Sequence, residues 1–163
     1  MLHSLLSELV AWAGHTGVHN FMVKYPMPFV VCQTLHFMGL SVLLGALIIV
    51  DLRGLGVFAR APLLETHKLV PLAIGGFAVQ LVTGACMTLT NPTTYFVSKA
   101  FWIKMVLILL AGLNALVYEI FIFRPLAAGD TAVETSGMLK LTSALSLFLW
   151  VAVLMFGRLI AYI

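Results

Sequence analysis

Four stretches of the chain stay apolar for about twenty residues each, the length a helix needs to cross a bilayer core. They cover residues 29–50, 69–89, 100–123 and 141–163. Turn formers separate them. Asn91-Pro92 begins the turn between the second and third stretches, and Pro125, Gly129 and Asp130 open the last loop. Tyr25-Pro26-Met27-Pro28 leads into the first, where proline is harmless because the opening helical turn has no partner for its N–H groups. Pro71 occupies the same kind of position in the second. The first 14 residues follow another pattern. Leu2, Leu5, Leu6, Leu9, Val10 and Ala13 recur on one helical face, and His3, Ser4, Ser7 and Glu8 fill much of the rest. Such a stretch suits a short amphipathic helix lying in the membrane interface. Reading it as a fifth span would place Glu8, His15 and His19 in or beside the hydrocarbon, where charge is costly. The pattern therefore predicts an all-α fold. It is an integral membrane four-helix bundle with a short N-terminal amphipathic interfacial helix, in a single membrane domain over residues 1–163.

Composition agrees. The chain is 62% hydrophobic and 9% charged, with a mean hydropathy of +1.10. A soluble domain carries roughly 25% charged residues, so the lipid bilayer is an expected partner. A net charge of +3 would suggest nucleic acid in a soluble protein; here the basic residues read as orientation signals, and nucleic acid is not expected. Arg53, Arg60 and Lys68 lie between the first two spans, and Arg124 and Lys140 flank the loop between the last two. Only Lys24 and Lys99 flank the opposite side. The positive-inside rule puts 51–68 and 124–140 in the cytoplasm. Both termini then face outward, toward the periplasm if this is a bacterial inner (plasma) membrane. The amino terminus has no basic residue before its apolar stretch and reads as part of the mature protein.

Each span carries a polar residue where lipid would not favour one. His36, Gln80, Lys104 and Arg158 fall in the outer half of spans one to four, one on each. Such residues face a bundle interior or a wet cavity and mark function. His36 shares a helix face with Cys32 and Gly39. It reads as a buried histidine bonded across the bundle, as an axial ligand to a haem or a metal ligand, or as a proton relay. A second axial ligand would come from His15 or His19, from a methionine such as Met87, or from another copy of the chain. Lys104 and Arg158 either snorkel to the headgroups or bind haem propionates. Lys104 lies on a stripe with Ala111, Ala115 and Glu119, whose small residues favour an inward direction.

A second polar layer lies near the cytoplasmic side. Asp51 and Arg53 end the first span, with Asn114 and Glu119 on the third. An ion pair of Arg53 with Asp51 or Glu119 would lock the helix ends, with Gly54 and Gly56 shaping the turn; a catalytic or transport role is the alternative. His15 and His19 would share a face if helical, a metal-binding geometry with which His36 and Cys32 could join, although Gly14 and Gly17 disfavour a helix there. Cys32 and Cys86 give no zinc spacing, and read either as a disulfide or as two buried thiols. Ser41-xxx-Gly45 and Gly76 through Gly84 read as helix-packing faces.

Several runs together resemble an uncharacterised family of small bacterial polytopic membrane proteins. They are Leu35-His36-Phe37-Met38-Gly39, Gly45, Asp51-Leu52-Arg53-Gly54-Leu55-Gly56, Gly76-Phe77, Thr83-Gly84, Ala100-Phe101-Trp102-Ile103-Lys104 and Ala111-Gly112-Leu113-Asn114-Ala115-Leu116-Val117. The resemblance covers roughly residues 20–120 and implies the same fold and orientation. The family keeps a histidine at the place of His36, often with a glutamate three residues earlier, where this chain has Gln33, and often a second histidine where Tyr118 and Glu119 stand.

The functional expectation is a membrane electron-transfer or redox-associated protein holding a b-type haem (heme b) near its outer face. His36 is its axial ligand, Lys104 and Arg158 are its propionate partners, and Gln80 lies beside them. The rival is a cofactor-free channel, transporter or accessory subunit, as a homo-oligomer or within a membrane complex. A third reading is a metal-binding membrane protein using His15, His19, His36 and Cys32.

Overall fold

Lipid offers a peptide group no hydrogen bond, so each apolar stretch must satisfy its backbone internally, as a helix. The computed structural model describes residues 2–57, 59–160 and 162. In chain order the helices are α1 (Leu2–Gly14), α2 (Gly17–Lys24), α3 (Pro26–Gly54), α4 (Leu63–His67), α5 (Val70–Thr90), α6 (Pro92–Val97) and α7 (Lys99–Tyr118). A π turn (Glu119–Phe123), α8 (Arg124–Ala127), a 3₁₀ turn (Thr131–Thr135) and α9 (Gly137–Leu159) complete the chain. No strand occurs among the described residues. Four continuous segments are long and apolar enough to cross a membrane: Pro26–Gly54, Leu63–Thr90, Lys99–Ala127 and Gly137–Leu159.

The spans pack as two pairs. α3 lies along α5, α7 lies along α9, and the pairs meet through α3 and α9. The α3–α5 crossing is tight because it is made of glycine. A methyl group on Gly76 would stand 2.7 Å from the Gly39 carbonyl oxygen and 2.8 Å from the Leu43 nitrogen. Close backbone approach of this kind drives helix association in lipid, where apolar side chains alone gain little. Ser41 and Gly45, expected on a packing face, point away from the bundle. Ser41 is exposed and nothing approaches Gly45.

Three boundaries differ from the sequence expectation, each for a local reason. Thr16 joins α1 to α2: its hydroxyl donates to the Ala13 carbonyl at 2.7 Å and accepts from the His19 N–H at 3.2 Å. One side chain thus ends one helix and caps the next, and α2 forms despite Gly17. Pro125, expected to open a loop, lies inside a helix that continues to Ala127. The π turn just before it rearranges the carbonyls that a proline ring would otherwise strike. The stop comes at Gly129, with φ +100°. There the Gly129 and Asp130 N–H groups donate back to Leu126 and Pro125, each at 3.0 Å. Gly56 (φ +90°) ends α3 with the same pattern, donating to Arg53 while Val57 donates to Leu52. Gly54 is helical and serves another purpose, described below.

An apolar belt of Leu43, Ala46 and Ala73, packed by Phe77 and Trp150, crosses the middle of the bundle. It separates two polar regions, the His36 end and the Arg53 end. α1, α2 and α6 gather at the His36 end, where α1 packs on α6 and α2 on α5. A second small core of Leu63, Ile122, Leu126, Val133 and Leu139 closes the Arg53 end.

Candidate functional site

His36 faces α5 at a point where that helix supplies a hydroxyl and a glycine. Its Nδ1 lies 2.8 Å from the Thr83 hydroxyl. That hydroxyl also donates to the Val79 carbonyl at 2.6 Å. A hydroxyl has one proton, so it accepts from His36, and Nδ1 carries the hydrogen. Nε2 is left with a bare lone pair. The adjoining ring edge, Cε1, lies 3.4 Å from where a Cβ on Gly84 would stand. Imidazoles that bind metals have their other nitrogen held in this way by a neighbouring acceptor.

Lys104 turns toward α9. Its ammonium rests on the bare backbone of Gly157 in α9, 3.3 Å from where a Cβ would be. It is close enough to His36 to act on it electrostatically. Among the described residues no carboxylate pairs with it. Of its stripe, Ala111 is buried and Ala115 is exposed.

Gln80 and Arg158 are employed differently from the expectation. The Gln80 amide donates to the His36 backbone carbonyl at 2.6 Å, tying α5 to α3. Arg158 is exposed, donates to the Tyr162 hydroxyl at 2.9 Å and lies over that ring. The helix ends within a turn of it. An open groove of about 540 Å³ adjoins this end, lined by Thr93, Val97, Ser98, Lys99, Ile160 and Tyr162 among others.

The four proposed metal ligands do not assemble. A turn at His15 and Thr16 breaks the helix, so His15 and His19 do not share a helical face. His15 is exposed, and His19 Nδ1 donates to the Leu89 carbonyl at 3.0 Å. Among the described residues no three His, Cys, Asp or Glu side chains form a metal-binding group. Cys32 and Cys86 are free thiols within side-chain reach of each other, and Cys32 Sγ also lies 3.4 Å from the Thr83 carbonyl.

At the other end Arg53 is buried, 6% exposed. It pairs with neither Asp51 nor Glu119. It donates to Glu134 at 2.9 Å and to the Ala61 carbonyl, clamping both loops of that end. Glu119 is taken by His67 at 3.2 Å, with Arg124 at 4.0 Å. His67 stacks on Phe123 with ring centroids 3.3 Å apart. Asn114 donates to the Thr142 carbonyl at 3.0 Å, tying α7 to α9. Asp51 faces α9, where Ser146 lies beside it. Gly54, one turn on, is bare because the Ser143 hydroxyl occupies the space a Cβ would need.

The sequence pattern gives Glu134, Ser143 and Ser146 no role, and it names Thr83 and Tyr118 only within the family resemblance. Hydroxyls are common in membrane helices and carry no charge to mark them, and Glu134 lies in a loop outside the spans. The available signal was spacing. Ser143 and Ser146 are three apart, as are Asp51 and Gly54, so each pair forms a face.

A helical bundle of four membrane-length spans with a polar layer at each end defines the class, a polytopic membrane protein. Residues 10–163 match the model described as "Family of unknown function (DUF6644)", and the chain belongs to that family. No curated protein and no solved structure matches the chain.

Proposed function

We propose that this is a membrane electron-transfer or redox-associated protein that holds a b-type haem at the His36 end of the bundle. The observation that carries the reading is the bare Nε2 of His36, held in that tautomer by Thr83. A ring prepared in this way is a good ligand to a soft or intermediate metal centre. The unpaired ammonium of Lys104, set on Gly157, suits a propionate. The bare backbone of Gly84 lets the imidazole lie close against α5. Thr83 orients the ligand, Gln80 fixes the backbone behind it, and Lys104 supplies the counter-charge. Met87 lies one turn from Thr83 on α5 and is a candidate second ligand, with His15, His19 or another copy of the chain as the alternatives. A bound haem would supply one-electron chemistry.

The distribution of Lys and Arg supports an inner-membrane location with the His36 end and both termini on the periplasmic side. The outward-facing Ser41 and Gly45 suit packing against a second copy or another subunit of a membrane complex. The test is the reduced-minus-oxidised absorption spectrum of protein purified from haem-replete cells. A Soret band with resolved α and β bands is expected, absent in His36→Ala. A colourless wild-type preparation made under those conditions overturns the reading.

A further inference from the structure

At the Arg53 end three polar atoms are sealed from solvent without a hydrogen-bond partner: Asp51 Oδ2, Ser143 Oγ and the Tyr118 hydroxyl. They belong to one place. Ser146 lies beside the Asp51 carboxylate, and Ser143 lies one turn away on the same face of α9, against Gly54. Tyr118 of α7 is close enough to Asp51 to act on it electrostatically. Asp51 is 4% exposed and Ser143 0%. Three helices thus bury unpartnered oxygen atoms in the same layer of the bundle.

The charge in that layer is unbalanced. Arg53 is spent on Glu134 and Ala61, and Glu119 is paired with His67. Among the described residues no ion pair is made to Asp51. A buried carboxylate without a counter-charge is costly in a membrane bundle and is found where it pairs or conducts. One carboxylate balances one positive charge, so a divalent ion would leave an excess. Oxygen-only donors suit a hard cation. A proton alone would neutralise Asp51 but leave the Ser143 and Tyr118 oxygens unused.

We propose that Asp51, Ser143, Ser146 and Tyr118 form a binding site for a small monovalent cation of the sodium class. Asp51 supplies the charge and the three hydroxyls supply neutral oxygen ligands. Gly54 is required because any side chain there would displace Ser143. The site is independent of the His36 end, from which the apolar belt separates it.

The test is thermal unfolding of the purified full chain in detergent, in NaCl, KCl and choline chloride at equal ionic strength. A ligand that binds only the folded state raises its melting temperature. A saturable upward shift in NaCl over choline is expected, smaller in KCl. It is lost in Asp51→Asn and weakened at least tenfold in apparent affinity in Ser143→Ala. Infrared difference spectra of the wild type, NaCl minus choline, provide a readout that needs no variant: a shifted carboxylate stretch is expected. Equal melting in all three salts, with a protonated carboxyl band that Asp51→Asn removes, overturns the proposal in favour of a neutral acid. His36→Ala leaves the sodium shift intact, so failure here and failure of the haem reading are distinguishable.

Discussion

Gly54 and Gly157 each present bare backbone to a polar side chain from a neighbouring helix, at opposite ends of the bundle. At Gly54 the Ser143 hydroxyl already fills the space of a Cβ. At Gly157 the neighbour is the flexible tip of Lys104, 3.3 Å away and free to retreat. The same contrast runs through both regions. At the Arg53 end the guanidinium is buried, bonded to two loops and backed by a core that includes Leu63, Ile122 and Leu126. At the His36 end the imidazole has one nitrogen engaged and one free, and the ammonium has no ionic partner. One end spends most of its charge on holding the fold. The other leaves an imidazole nitrogen and an ammonium without an ionic partner among the described residues.

The contrast is broken most severely at Arg53. Arg53→Met strands the Ala61 carbonyl and Glu134, and is expected to cost about 3 kcal/mol, read by unfolding in a denaturing detergent titration. Arg158→Ala, on an exposed residue, is expected to change stability by less than about 0.5 kcal/mol. Equal costs would mean that the ends are not built differently. Next is Gly54→Ala, which overpacks the Asp51 layer and is expected to cost about 2 kcal/mol in the same titration. Thr83→Val sharpens the other side. It removes the acceptor of the His36 Nδ1 proton and is expected to weaken haem retention by about tenfold or more, with the far-ultraviolet dichroism unchanged. The smallest effect belongs to Gly157→Ala, expected within about 0.5 kcal/mol of wild type, because Lys104 can give way. A loss as large as that of Gly54→Ala would show that Lys104 is wedged in place.

The four spans were legible because a run of twenty apolar residues has one economical fate in a chain of this length. The seat of Lys104 on Gly157 was not legible, since that contact joins residues 53 apart in sequence, and its stripe of small residues is only partly buried, with Ala115 exposed. The partner of Arg53 was misread for a similar reason. Asp51 and Glu119 were near in the linear plan, whereas Glu134 reaches Arg53 only because the 3₁₀ turn folds under α3. Pro125 misled because a proline signals a break, and only the preceding π turn lets the helix pass it. Gln80 looked like a site residue by depth alone; helix geometry gives depth but not direction until both neighbours are known. The hydroxyls around Asp51 were invisible because serine and threonine carry little weight in hydropathy, although their three-residue spacing placed them on one face.

Titration of the cofactor-free protein with haemin, followed at the Soret band, tests the central claim most directly. A saturable rise to one equivalent per chain is predicted, unchanged in Asp51→Asn and weakened by about tenfold or more in His36→Ala. Non-saturating uptake that is identical in wild type and His36→Ala would contradict it.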